Sequence, residues 1–171
     1  MLVHFAVSEY VLWNPPELDT PRRGQWFSPA RYAPGSELLG FDGAPIDIEA
    51  AMKGRDMTIV AVWASWCSPC RRELKRLRAL AIERPWVAVI AVNIDDESAT
   101  LDALRWVEAI GGPLIYCRAN IPNPRGVGRR TTPLPTSLPA TIVLDAGGDV
   151  IATGVGEAPA LFRRIDAWSR R

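Results

Sequence analysis

Thr58-Ile59-Val60-Ala61-Val62-Trp63-Ala64-Ser65-Trp66-Cys67-Ser68-Pro69-Cys70-Arg71-Arg72-Glu73-Leu74 is the stretch on which the reading of this chain turns. Residues 58–64 form an unbroken apolar, largely β-branched run, the pattern of a strand buried on both faces. A helix is expected to begin near Cys67, because Leu74, Leu77 and Ala81 recur at helical spacing and Pro85 ends the pattern. Two thiols separated by two residues therefore fall where a buried strand hands over to a helix. Unpaired backbone N–H groups and the helix dipole favour a thiolate at the first of them. The second lies one turn further in, within reach of a small disulfide loop, and Pro69 stiffens the link where no N–H is required. The arrangement points to reversible dithiol chemistry at Cys67 and Cys70. The competing readings are a structural pair and half of a zinc site. Zinc needs about four ligands, and only Cys117 and the single His4 remain to complete a set, so no metal is expected.

Outward from this unit, residues 36–171 read as one regular domain and residues 1–35 as an irregular extension rich in Pro, Arg and Trp. Leu38, Leu39 and Phe41, the Asp42-Gly43 turn signal, and Ile46 and Ile48 alternating with Asp47 and Glu49 predict a hairpin, followed by a short turn over 50–53. Residues 86–94 predict a second buried strand. The acids at 95–97 are placed to suit the dipole of the next helix, whose expected apolar face is Leu101, Leu104, Val107 and Ile110. That helix should stop at Gly111-Gly112-Pro113, before a short strand over 114–117. Residues 119–139 hold too many prolines for one regular helix and read as an irregular segment. Residues 141–144 and 150–155 flank an Asp-Ala-Gly-Gly-Asp hairpin signal, and a last helix should present Leu161, Phe162, Ile165 and Trp168. Strand, helix, strand, helix, strand, hairpin and helix make an α/β plan with a central mixed sheet.

The chain has 171 residues, 48% hydrophobic and 23% charged, an ordinary globular mixture that argues against disorder, collagen and coiled coil. Twenty basic residues against nineteen acidic ones give a formal charge of +1, which offers no overall attraction to nucleic acid or an anionic membrane. The apolar runs over 58–66 and 86–92 are far shorter than the roughly 20 residues a membrane helix needs, so no transmembrane segment is expected. Residues 1–13 are apolar but lack a basic leading region and a small-residue cleavage site, so they do not read as a signal peptide. Three cysteines leave at least one outside any intrachain disulfide.

Residues 62–74 resemble the thioredoxin superfamily, and within it the TlpA, ResA and CcmG-like thiol-disulfide oxidoreductases. The resemblance extends over about residues 36–169. It includes the hairpin before the first buried strand, an inserted helix and strand after the second, and Leu138-Pro139-Ala140-Thr141-Ile142-Val143-Leu144-Asp145 where that branch carries a cis-proline and the next strand. It implies a thioredoxin-like α/β fold and exchange of disulfides with protein substrates, without a cofactor, through a nucleophilic Cys67 and a resolving Cys70. It implies that Trp66, Ser68, Pro69, Leu138 and Pro139 contact an extended substrate segment. It further implies an upstream redox partner, an extracytoplasmic compartment such as the periplasm with the cytoplasm as the alternative, and a reductive role such as cytochrome c maturation.

The chain departs from the family pattern at three places. Ala61 stands where many relatives carry an acid or Asn that relays a proton to the second thiol, so slow resolution by a selective reductant is expected. The irregular 121–138 segment, with Arg125, Arg129 and Arg130, replaces a helix, and Leu138 precedes the proline instead of Thr. Two other classes compete for the same residues. A thiol peroxidase of this fold would carry Thr at the position of Ala64, and a copper-binding module would space its cysteines by three and add a late histidine. Cys117 reads as a buried strand thiol and Trp63 as core, while Trp66 should be partly exposed. Arg71, Arg72, Lys75, Arg76 and Arg78 read as a solvated helix face, with docking of an acidic partner as the sharper alternative. Asp42, Asp145 and Asp149 read as turn residues, and His4 as uninvolved in catalysis.

Overall fold

Strands β2 (Met57–Trp63) and β3 (Val87–Asn93) are buried along their whole lengths, and so must lie at the centre of a sheet covered on both faces. The computed structural model describes residues 37–120, 138–148 and 150–156, and Phe162, Arg163 and Ile165 in helical conformation. The extension over 1–35 with His4, the segment 121–137 with its three arginines, Asp149, Leu161 and Trp168 lie outside the described residues. With β1 (Glu37–Leu39), β4 (Ile115–Asn120), β5 (Ala140–Asp145) and β6 (Val150–Val155), the strands form a six-stranded sheet in the order β1-β4-β3-β2-β5-β6. β2, β3 and β4 run parallel, and β1, β5 and β6 pair antiparallel with their neighbours. A mixed sheet with helical crossovers is therefore confirmed.

Helices α2 (Ser68–Glu83) and α3 (Thr100–Ile110) provide those crossovers. α2 buries Leu74, Leu77, Leu80 and Ala81 against Met57, Ile59, Ala61 and Trp63 of β2, and Ile165 joins the same cluster. The opposite face gathers Leu38, Val60, Ile90, Val92, Cys117 and Leu144 around Met52 of the short helix α1 (Ile48–Met52). Alternate residues of each central strand thus feed separate apolar layers. Among the described residues no helix is long and apolar enough to cross a membrane.

Two local expectations are corrected. The Asp42-Gly43 turn forms, with the Asp42 carboxylate accepting from Ala44 N–H at 3.0 Å, but its second arm is a single bridge between Leu39 and Pro45. Ile48 begins α1 and does not extend a strand, because the Asp47 carboxylate caps the helix by accepting from Ala50 N–H at 3.1 Å. β1 finds its full partner in β4.

In α3 the buried positions are Ala103 and Ile110, with Trp106 and Val107 packed on the core, whereas Leu101 is 70% exposed. The helix is turned so that Trp106 stacks on Trp63, ring centroids 5.6 Å apart, and a large aromatic contact outweighs one leucine. α3 stops at Gly111 and Gly112, both at positive φ. A Cβ at Gly112 would come within 2.6 Å of the Arg78 side chain, which turns inward beneath this corner and away from the solvated face expected for it. Leu77 has no exposed surface and sits mid-helix over β2. Leu77→Ala should lower the free energy of unfolding by about 2–5 kcal/mol, read as a reduced urea midpoint with an unchanged slope.

Candidate functional site

The end of β2 delivers the chain into α2 through a tight turn tied down on each side. Ile94 N–H donates to Trp63 O at 3.0 Å and Cys67 N–H to Ala64 O at 3.1 Å. Between them, Ser65 N–H donates to the Asp95 carboxylate at 2.8 Å, and the same oxygen accepts from Asn93 Nδ2 at 2.8 Å. Asp95 therefore serves the β2–α2 turn, which lies thirty residues back in sequence, and makes no cap on the helix that follows it. Its role was missed because the contact is made between neighbouring strand ends, which local spacing does not encode.

Cys67 is the N-cap residue of α2, and its Sγ accepts from Cys70 N–H at 3.2 Å. Cys67 and Cys70 are joined by a disulfide with their Cα atoms 5.3 Å apart. Cys67 keeps 5% of its surface exposed and Cys70 none, so the two sulfurs differ in access. Pro69 lies in the first turn, where a missing N–H costs no helical bond. Around the pair, Ser68 is exposed, Pro69 half-buried and Trp66 71% exposed, more open than the partial exposure expected.

Pro139 follows a cis peptide bond from Leu138 and is buried, and its carbonyl accepts from Gly156 N–H at 2.7 Å. Ala140 next to it pairs with Val62, so Pro139 stands at the end of the sheet from which Cys67 emerges. Leu138 packs against the apolar cluster that contains both cysteines. The structure thus brings Trp66, Cys67, Ser68, Pro69, Cys70, Leu138 and Pro139 to one edge of the sheet.

Ala61 is buried beside Ala91 and Thr141, with no acid at that place in the strand. Among the described residues the one buried carboxylate is Glu73, 1% exposed, with the Arg76 guanidinium 3.8 Å away. It lies three residues after Cys70 on the buried side of α2, a spacing that makes helical residues neighbours. A signal for it exists in the sequence, since Glu73 interrupts the inward stripe of Cys70, Leu74 and Leu77. Arg71, expected on a solvated face, has its guanidinium 3.9 Å from the centre of the Trp106 ring, extending the Trp63–Trp106 stack.

A cysteine disulfide closing the first turn of a helix that leaves a central parallel strand, with a cis-proline opening the antiparallel strand beside it, defines a thioredoxin-like protein. Residues 29–153 match the AhpC/TSA family, and the chain belongs to that family. It is 41% identical over 69 residues to the thiol:disulfide interchange protein CycY of Rhizobium leguminosarum bv. viciae, covering 40% of this chain and 35% of that one. It is 29% identical over 104 residues to the thiol:disulfide interchange protein DsbE of Pseudomonas aeruginosa, covering 54% of each. The match thus spans only about a third to a half of these relatives' lengths. The thioredoxin domain of a thiol-disulfide oxidoreductase from Bacteroides vulgatus shares the fold, with a TM-score of 0.61 at 17% identity over 78% of this chain and 92% of that one.

Cys117 is fully buried in β4, its Sγ 3.7 Å from Ala91 O, in accord with a strand thiol. Burial pushes its thiol up from 9.0 to about 12. The folded chain holds the protonated form, so this group's contribution to stability is complete below pH 9 and declines as pH rises towards 12. In native, fully reduced protein Cys117 should resist iodoacetamide throughout pH 7–9 while the active-site pair is consumed, and should react once denaturant is added; labelling of Cys117 in the native protein would contradict its placement.

Proposed function

We propose that this chain is a thiol-disulfide oxidoreductase acting on protein disulfides, with Cys67 as nucleophile and Cys70 as resolving thiol. The observation that carries the reading is the difference between the two cysteines: Cys67 caps a helix N-terminus and keeps 5% of its surface exposed, whereas Cys70, one turn in, keeps none. The N–H of Cys70 and the helix dipole favour negative charge on Cys67 Sγ once the disulfide is reduced. That thiolate attacks one sulfur of a substrate disulfide, and the other sulfur leaves as a thiolate and takes a proton. Cys70 then gives up its proton and attacks Cys67 Sγ, releasing the second substrate thiolate and closing the disulfide present in this structure. Two electrons pass from the protein dithiol to the substrate disulfide. The reverse sequence donates a disulfide.

Glu73 is the group that accepts the Cys70 proton in this scheme, taking the part that Ala61 leaves open. Trp66, Ser68 and Pro69 on one side and Leu138 and Pro139 on the other form the cleft edges that receive an extended substrate segment. Protein disulfides of this kind arise outside the cytoplasm, which supports an extracytoplasmic site of action, with reduction during cytochrome c maturation as one setting; a proton acceptor at Glu73 removes the slow resolution that Ala61 alone would imply. An upstream partner then restores the dithiol. The thiol peroxidase alternative has less support, because the buried Ala64 offers no hydroxyl to hold a peroxide.

Reduction of a peptide disulfide tests the scheme. Cys67→Ser should abolish turnover, and Cys70→Ser should accumulate a mixed disulfide through Cys67 that mass spectrometry identifies; trapping through Cys70 or Cys117 would refute the assignment. Glu73→Gln, which keeps the volume, should slow release from the mixed disulfide by roughly a hundredfold at neutral pH while leaving the first attack unaffected. Equal release rates in single-turnover fluorescence would remove Glu73 from the scheme.

A further inference from the structure

Thr141 lies in β5, two residues beyond Pro139, and is 1% exposed. Its Oγ1 is shut off from solvent and has no hydrogen-bond partner among the described residues. An unpaired hydroxyl in an apolar layer costs stability, and Val would keep the shape without that cost. The buried polar side chain at the end of β3 is treated differently: Asn93 uses both ends of its amide on Asp95. A buried group left unpaired against this rule points to a function.

Register fixes the layer that the hydroxyl occupies. Thr141 stands directly opposite Ala61, and Val143 packs under α2 with Ala61, Trp63 and Cys70, while Ile142 and Leu144 belong to the other layer. Thr141 therefore lies on the α2 side of the sheet. β2 and β3 are parallel, so α2 runs back over the sheet between them, and its first turn, with Cys70, covers the end of β2 that carries Ala61 and Trp63. Side chains directly opposite on paired strands have Cβ atoms about 5 Å apart, and Ala61 carries nothing beyond its Cβ. Continuing across the row, Ala61 is followed by Ala91 and then Tyr116, whose hydroxyl already donates to Gly111 O at 3.0 Å. Of the two hydroxyls in this row, only that of Thr141 is uncommitted. The Trp63 indole N–H, in the same layer, is also buried without a partner among the described residues.

Reduction creates the acceptor that this layer lacks. In the disulfide, Cys70 Sγ is neutral and bonded to Cys67 Sγ. Once Cys67 is held in a mixed disulfide, Cys70 must lose its proton, and a negative sulfur forms on a residue with no exposed surface, where solvent gives it no donor. We infer that the Thr141 hydroxyl donates to Cys70 Sγ in that state and stabilises the thiolate that attacks Cys67 Sγ. The inference rests on the proposed disulfide exchange and adds a residue to its resolving step: Glu73 receives the proton, and Thr141 holds the sulfur that gave it up. The hydrogen bond is made only after reduction, so it favours the dithiol and the mixed disulfide over the closed disulfide. It also raises the thiolate population more than it blunts the nucleophile, whose reactivity falls by only about half as much on a logarithmic scale.

The test compares wild type, Thr141→Val and Thr141→Ser in the full chain. With a peptide disulfide followed by single-turnover fluorescence, Thr141→Val should slow release from the mixed disulfide roughly threefold to tenfold, while Thr141→Ser, which keeps the hydroxyl, should stay within about twofold of wild type. Equilibration with glutathione should shift Thr141→Val towards the disulfide by about fivefold in the equilibrium constant. Urea unfolding supplies a readout that packing alone would not move: Thr141→Val should leave the oxidised protein at least as stable as wild type and should lower the midpoint only after reduction. Equal losses in both redox states would show that the hydroxyl is already paired in the oxidised protein, by an ordered water or otherwise, and would overturn the inference. Release from Thr141→Val at the wild-type rate, or from Thr141→Ser as slowly as from Thr141→Val, would overturn it as well. Failure of wild type to reduce the peptide at all is a different result, since it overturns the disulfide-exchange reading and this inference with it.

Discussion

The site depends on β2 being held on both edges, by β3 in parallel and β5 in antiparallel register. This pairing places three things at one end of the sheet: the turn that leads to Cys67, the Asn93–Asp95 corner that grips the turn, and Pro139 at the start of β5. None of them is rigid by itself. The Ser65 N–H meets Asp95 because β3 ends level with β2, and Pro139 faces the same edge because Ala140 pairs with Val62. A one-residue slip in either ladder would turn every alternate side chain of β2 to the other layer and carry Ala61 and Trp63 away from α2.

The arrangement sets polar chemistry on an apolar base. Cys70, Glu73 and Ala61 are all buried against the layer that α2 shares with the sheet, so the second sulfur and the nearest buried carboxylate sit where water is scarce. Cys67, by contrast, retains an opening and the attraction of the helix terminus. The separation is achieved by position alone: the first cysteine is the cap and the second is one turn down on the inner side.

The central strand and its helix could be read from the chain because burial on both faces leaves no polar residue in 59–64 and because the inward stripe of α2 keeps helical spacing through Ala81. The cysteine pair was legible for the same reason, since a junction of these two patterns fixes which sulfur caps the helix. The reading weakened where a signal was short or a contact distant. Four residues alternating around Asp47 fit a strand as well as the start of a helix, and only the carboxylate cap on Ala50 decides between them. Spacing alone points Leu101 inward, yet the orientation of α3 is set by Trp106 reaching Trp63 from another element. Sequence proximity groups Asp95 with the acids that follow it, and Glu73 is given no role by spacing alone although it is buried in the apolar stripe of α2.

The concealed thiol of Cys117 bears on how this chain acquires its structure. Three cysteines permit three single pairings, of which the folded protein uses the one between residues only three apart. That ring closes between near neighbours before any tertiary contact is needed, while Cys117 is hidden only when β4 has docked against β3. In an oxidising environment the chain therefore runs a race between sheet assembly and capture of its third sulfur by an early-formed disulfide or by another molecule. Docking β4 against β3 places that sulfur out of reach of both.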